Sequence, residues 1–292
     1  MKKSVSKRSV IVTLADPHGG HRYGLLNPDT VLYEHDEHGN ELEEVHPKLN
    51  KIQEYLWGMY QEWINDVSEF TNGDDLVIVV DGDMTVGNKH PSRLVSEREA
   101  DQIEIGVSNM RPWYTLNPKA VKIIKGTGAH TFGYGSSEIT ITKQLKAEFP
   151  NTPTKFCDHA LLTVNGMDAD ISHHGPTAGT RNWLKGNELR YYLRSCMLDE
   201  ICAGHVPPRL YVRAHFHEDV EETVIIKANG NRYKSTAVIL PSLTYLDDFA
   251  DQAAKSPSRI THGMYVFEVI GGELCRIIPL TRSIDIRTKD VL

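Results

Sequence analysis

"IVTLADPHGG" runs from Ile11 to Gly20, and its reading decides the fold. The apolar run from Ser9 to Leu14 reads as a core strand. It stops at Asp16, and a proline, a histidine and two glycines follow. A strand that ends this way places a carboxylate and an imidazole two residues apart on its lip.

Outward from this strand the chain alternates. The stretch from Pro47 to Phe70 carries Leu49, Ile52, Leu56, Tyr60, Trp63, Ile64, Val67 and Phe70 at spacings of a helical stripe. Pro47 suits its first turn and Asn72-Gly73 its end. Leu76 to Val80 is an unbroken apolar run, the mark of a strand covered on both faces. A helix is expected over Ser96–Met110, a buried strand in "AVKIIKGTGAH", and a helix in "SSEITITKQLKAEF" capped by Ser136 or Ser137. Strand and helix in turn imply parallel strands with helices on the sheet faces. Ligands in such sheets gather at the carboxyl ends of the strands, so Asp16, Asp83 and Gly126 to His130 are expected on one rim.

The second half reads differently. Asn165-Gly166, Asn229-Gly230-Asn231 and Gly271-Gly272 mark three hairpins. A helix is expected from Asn187 to Ile201, and "RLYVRAHFH" is a strand with histidines at its end. Residues 21–46 lack a clear period, with turns at Asn27-Pro28 and His38-Gly39-Asn40, and read as a substrate-side loop inserted beside the first strand. The fold expected is α/β, a single domain over residues 1–292 with two packed mixed sheets flanked by helices.

Composition narrows the function. Of 292 residues, 40% are hydrophobic, enough for a substantial core, and 24% are charged. The net charge of −7 argues against binding duplex DNA mainly by counterion release, although bound cations would dominate the local field of a site. Cys157, Cys196, Cys202 and Cys275 form no CxxC pair and read as free thiols in a reducing compartment. The basic start "MKKSVSKRSV" lacks the apolar core of a secretory signal, and no apolar run is long enough to span a membrane. A soluble cytoplasmic protein is expected.

Five segments place acid or imidazole groups just after an apolar run: Asp16 and His18, Asp81 and Asp83, His130, His173 and His174, and His215 and His217. Any one alone is more often a turn residue or a hydrogen-bonded structural histidine. Together on one rim they would be costly to bury without metal ions to offset their charge. Carboxylate and imidazole without thiolate exclude a structural cysteine zinc site and suit manganese, iron, zinc, nickel or cobalt in a hydrolytic centre. Two such ions bridged by a carboxylate clamp a phosphoryl group and generate hydroxide near neutral pH.

The order D-x-H, G-D, a G-x-H-like segment, H, and a final x-H-x-H resembles the calcineurin-like metallophosphoesterase superfamily from Asp16 to His217. The tail "PSLTYLDDF" is similar to the end of phage-type members. The resemblance implies a four-layer sandwich and two divalent ions, manganese first among the candidates. It implies that Asp16, His18 and His217 bind one ion, that Asp83 bridges both, and that His173 and His215 bind the second, with His174 as the substitute for His173. Gly82 would let the backbone turn before Asp83, Gly19-Gly20 would clear space for substrate, and Asp81 would play a structural part. At the third station the family has G-N-H-D or G-N-H-E where this chain has "GTGAHT". His130 aligns with the family histidine that protonates the leaving group, and Thr127 is the nearest counterpart of the asparagine. Either the second ion is held by fewer protein ligands plus water, or His130 coordinates it.

The implied function is hydrolysis of phosphate esters by a metal-activated hydroxide, as a phosphodiesterase or nuclease. The alternatives are a metal-binding scaffold without significant catalysis and a phosphomonoesterase. Arg93, Arg181 and Asn182, with Lys89 and His90, are candidates to hold phosphate oxygens. Tyr23, Tyr33 and Trp183 are candidates to stack bases of a nucleotide or nucleic acid.

Overall fold

The computed structural model describes residues 7–89, 91–179, 184–245, 258–288 and 290. The expected first strand is β1 (Arg8–Leu14), which opens a six-stranded mixed sheet. The hairpin β2 (Leu32–His35) and β3 (Glu41–Val45) and the helix α1 (Lys51–Thr71) follow it. β4 (Asp75–Asp81), β5 (Ala120–Ile124) and β6 (Thr154–Cys157) then extend the sheet in parallel from β1. The helices α2 (Glu99–Tyr114) and α3 (Ser136–Glu148) form the connections.

A five-stranded mixed sheet has the order β10–β11–β9–β8–β7, built from β7 (Ala160–Val164), β8 (Met167–Ile171), β9 (Leu210–Arg213), β10 (Val220–Ala228) and β11 (Asn231–Ile239). α4 (Asn187–Cys202) lies between β8 and β9 in the chain. The antiparallel pair β12 (Arg259–Ile270) and β13 (Glu273–Asp285) returns to the first sheet, β12 beside β1. Among the described residues the chain is thus α/β, with mixed sheets flanked by four helices.

The period-two alternation of strands explains how the layers meet. Val10, Val12, Leu14, Ile78 and Val80 face Leu56, Tyr60, Trp63, Val107 and Ile141 of the first three helices. The residues between them, Ile11, Val77 and Val79, share a core with Ile171, Leu210, Val212 and Val238 of the second sheet. Leu189, Leu193 and Met197 of α4 cover Tyr211, Ala237 and Ile239 on that sheet's other face. Among the described residues, no helix is long and apolar enough to cross a membrane.

Local chemistry moved several expected boundaries. α1 begins at Lys51 rather than Pro47, because Asn50 accepts from the amides of Ile52 and Gln53 while the Gln53 side chain accepts from the Asn50 amide. That reciprocal cap satisfies donors that a first-turn proline leaves open. α2 starts at Glu99, past Ser96, whose hydroxyl instead donates to Asp101 at 2.6 Å, and runs through Pro112 to Tyr114. α3 is preceded by Gly135 in the left-handed region, so neither Ser136 nor Ser137 caps it. Residues 21–46 contain the hairpin β2–β3, tied to α2 where Arg98 donates to the Tyr33 carbonyl at 2.8 Å. The parallel strand β6 was not anticipated. The three hairpin turns lie where expected, at Asn165-Gly166, Asn229-Gly230 and Gly271-Gly272.

Candidate metal centre

The site begins where β1 and β4 end. The parallel pairing continues past both strands: the amides of Asp16, His18 and Gly19 donate to the carbonyls of Gly82, Asp83 and Met84 at 3.4, 3.1 and 2.9 Å. The two lips therefore run side by side, with Asp16 and His18 facing Asp83. Gly19 and Gly20 are buried against Met84, Ile105 and Gln102, so they admit α2 and do not clear space for substrate. Gly82, at φ 79°, does allow the sharp turn. A Cβ there would collide with the His173 ring, and one on Gly126 would collide with Asp83.

The second sheet supplies the other wall. The Ala214 amide donates to the His173 carbonyl at 3.0 Å, tying the loop after β9 to the loop after β8. The His215 amide donates to Asp16 Oδ2 at 3.3 Å, which docks that wall on the first. Behind it the buried Arg213 guanidinium pairs with Asp170 at 2.5 Å and donates to Tyr192 Oη at 3.0 Å. The sequence offered no signal for this network, because Arg213 reads as an ordinary strand residue. The segment after β11 closes the first wall, where the Leu243 amide lies 3.3 Å from the carbonyls of Ala15 and Asp16.

Three groups of side chains present ligand atoms within 4.8 Å of one another: Asp16 with His18 and His217, Asp83 with His173 and His215, and His18 with Asp83 and His130. The first two bring together residues that the resemblance assigns to each ion, with Asp83 in the second group and not in the first. His173 rather than its exposed neighbour His174 enters a group. Its Nδ1 donates to the Asp81 carbonyl, which leaves Nε2 3.1 Å from Asp83 Oδ2 and 3.7 Å from Asp16 Oδ1. A backbone carbonyl on one ring nitrogen fixes the tautomer and aims the other, as is usual for metal-ligating histidines. His217 Nε2 lies 3.2 Å and His18 Nε2 3.5 Å from Asp16 Oδ1.

The donor set fits divalent ions. Asp16 Oδ1, His18 Nε2 and His173 Nε2 are buried and make no hydrogen bond, and their nearest polar neighbours are one another, Asp83 and His217. Such atoms are costly to leave unpaired, and here they converge. Electrostatics agree. Burial would raise Asp16, but His217 and His173 hold it well below the usual carboxylate range. Burial opposes the Asp83 charge too, and His173 nonetheless brings it to about 2. Burial would lower His173, yet Asp16 and Asp83 raise it to about 10. His18 is driven to about 3, first by burial and then by His130. Asp16, Asp83 and His173 are buried while His130, His215 and His217 are half-buried, so the cluster opens to solvent on one side.

Two buried carboxyls stand behind the ligands. Asp81, whose backbone orients His173, has both side-chain oxygens unpartnered and is raised to about 7 by burial. Glu138 in the first turn of α3 is also unpartnered and raised to about 7, by burial and then by Asp83 among other groups. Glu138 was missed in the sequence, where it reads as a helix-start acid.

The expected substrate residues fare unevenly. Arg93 lies half-buried on a single 3-10 turn whose carbonyl accepts from the Arg22 amide, and it enters none of the three groups. Lys89 is exposed, Tyr33 is exposed on β2, and Tyr23 rests against His21 and Tyr245. His90, Arg181, Asn182, Trp183 and residues 246–249 of the tail motif lie outside the described residues. A cavity of about 350 Å³ lined by Arg209, Lys234 and Glu273 lies at the other end of β9 and shares no residue with the cluster.

No protein-family model matches the chain, and no curated protein matches it either.

Proposed function

We propose that the chain is a metal-dependent phosphoesterase of the calcineurin-like metallophosphoesterase type, with its layers forming that superfamily's four-layer sandwich, and that its substrates are phosphodiesters. One observation carries the reading: Asp16, His18 and His217 on one side, and Asp83, His173 and His215 on the other, form two adjoining triads at strand ends. Six side chains from four separate segments meet there in the ligand order that the sequence led us to expect.

Asp16, His18 and His217 would hold one divalent ion, His173 and His215 the other, with Asp83 between them. Ions so held supply Lewis acidity toward a phosphoryl oxygen and lower the pKa of water. The chain's own residues prepare that chemistry. The Asp81 carbonyl holds the His173 ring by Nδ1 and points Nε2 at the two carboxylates. Thr127 donates its amide to Asp83 Oδ1 at 2.5 Å and its hydroxyl to the same carboxylate at 3.1 Å, which fixes the orientation of the shared ligand. The half-buried His130, His215 and His217 line the solvent-facing side, from which a phosphate ester would approach.

The test pairs elemental analysis of the purified protein with hydrolysis of bis(p-nitrophenyl) phosphate and p-nitrophenyl phosphate. Bound divalent metal and faster turnover of the diester are expected. Metal without turnover of either ester would make the protein a scaffold, and faster turnover of the monoester would make it a phosphomonoesterase.

A further inference from the structure

We propose that His130 is a protein ligand of the ion held by Asp16, His18 and His217, which would give that site a larger ligand set than its neighbour. The inference rests on the metal-dependent reading above and departs from the leaving-group role that the family resemblance implies for this position.

The chain builds His130 as a held imidazole. The loop after β5 folds so that the His130 amide donates to the Thr127 carbonyl at 3.2 Å, and Thr85 Oγ1 donates to the His130 carbonyl at 2.8 Å. Its Nδ1 lies 3.0 Å from the Val86 carbonyl. A carbonyl only accepts, so Nδ1 donates to it and Nε2 is the ring nitrogen that remains to bind an ion. His173 is oriented in the same way by the Asp81 carbonyl. The same orientation suits an imidazolium acid as well as a metal ligand, so the neighbours of His130 decide its role.

The partners decide which ion His130 would serve. It groups with His18 and Asp83, and its ring centroid lies 4.3 Å from that of His18. His18 also groups with Asp16 and His217. It has a single buried, unpartnered nitrogen, Nε2, and one nitrogen lone pair binds one ion. We assign that nitrogen to both groups, which gathers Asp16, His18, Asp83, His130 and His217 on one ion. The second ion is left with Asp83, His173 and His215. Thr127, which stands nearest the family asparagine, gives its hydroxyl and amide to Asp83. His130 shares no group with His173 or His215, and the geometry assigns it away from the second ion.

Titration calorimetry of Mn²⁺ into metal-free protein tests this without substrate. The wild type is expected to bind one equivalent tightly and one weakly. His130→Ala and His130→Gln should weaken the tight equivalent by at least about 10-fold, the lower end of what losing even an outer-shell partner costs. His217→Ala should weaken that same equivalent, and His173→Ala the other. Should His130→Ala fail to fold by circular dichroism, His130→Gln carries the comparison. Turnover of a p-nitrophenyl ester and of an alkyl ester should fall by the same factor. An unchanged tight equivalent, or a loss confined to the weak one, overturns the inference and leaves the metal centre standing. A wild type that binds no divalent ion overturns both.

Discussion

Backbone turns of the same hand occur in two very different places. Nine described non-glycine residues have φ in the left-handed region. Four are asparagines: Asn72, Asn117, Asn165 and Asn229. The other five are Asp16, His18, Asp83, His215 and His217, all of them candidate ligands. At the turns the conformation is cheap. Asn165 and Asn229 open two-residue hairpin loops closed by glycine, the sequence such loops prefer, and Asn72 ends α1. At the rim the same conformation falls on Asp16 and Asp83, which bear it as asparagine does, and on His18, His215 and His217, at an order of about 1–3 kcal/mol for each histidine. The turns satisfy a local need of the chain. The rim holds strain because paired strand ends and cross-loop hydrogen bonds over-determine it, and that strain brings side chains from both sheets to one place.

The largest effect should come from the ligand placed between the triads. Asp83→Asn is expected to remove both ions and to lower turnover by more than the about 10–100-fold that loss of an outer-shell partner costs. Metal content per chain, measured beside turnover, checks it. Two retained ions with near-normal turnover would reduce the rim's strain to an accident of folding.

A change in pH should separate the rim from the turns next. In the metal-free protein His173 is raised from 6.5 to about 10, burial opposing the shift and Asp16 and Asp83 driving it. A raised histidine adds stability that is complete below its unfolded pKa and is lost as pH climbs through the folded one. The melting temperature of chelated protein should therefore fall between about pH 6.5 and 10, while metal affinity rises as His173 gives up its proton. His173→Ala should flatten that melting profile, and Asn229→Ala should leave its slope intact. A flat wild-type profile would show that the two carboxylates do not hold His173 charged.

The smallest effect is the most direct comparison. His215→Gly relieves a left-handed histidine whose backbone bond to Asp16 glycine can keep. Chelated protein carrying it should be as stable as wild type or up to about 2 kcal/mol more so, the scale of the penalty an L residue bears there. The same variant should gain less stability than wild type when metal is added. Asn229→Ala should cost about 1 kcal/mol with or without metal. Denaturant melts of each variant in both states measure this. Equal losses for the two variants in chelated protein would erase the distinction between rim and turn.

Much of this was legible because it is written in neighbouring residues. Hairpin turns announce themselves as Asn-Gly, and the buried strands as unbroken apolar runs. The strand-end carboxylates and imidazoles stood out because such groups rarely follow a core strand five times. Helix starts were less legible. At Asn50 and Gly135 the outcome depended on which side chain or glycine could meet the terminal amides, and proline and serine suited those positions by type alone. Glu138, the Asp81 carbonyl and the Arg213–Asp170–Tyr192 network gave no signal, since their parts depend on residues distant in the chain.

By itself the sequence determined the alternation of strands and helices, the hairpin positions, and the residue types that collect at strand ends, because each follows from periodicity and turn chemistry over a few residues. Only the tertiary structure decided which of those end groups meet. It chose His173 over His174 through the Asp81 carbonyl, turned Thr127 toward Asp83, and set His130 beside His18. Such choices depend on distances between loops of two sheets, and those distances exist only once both sheets share a core.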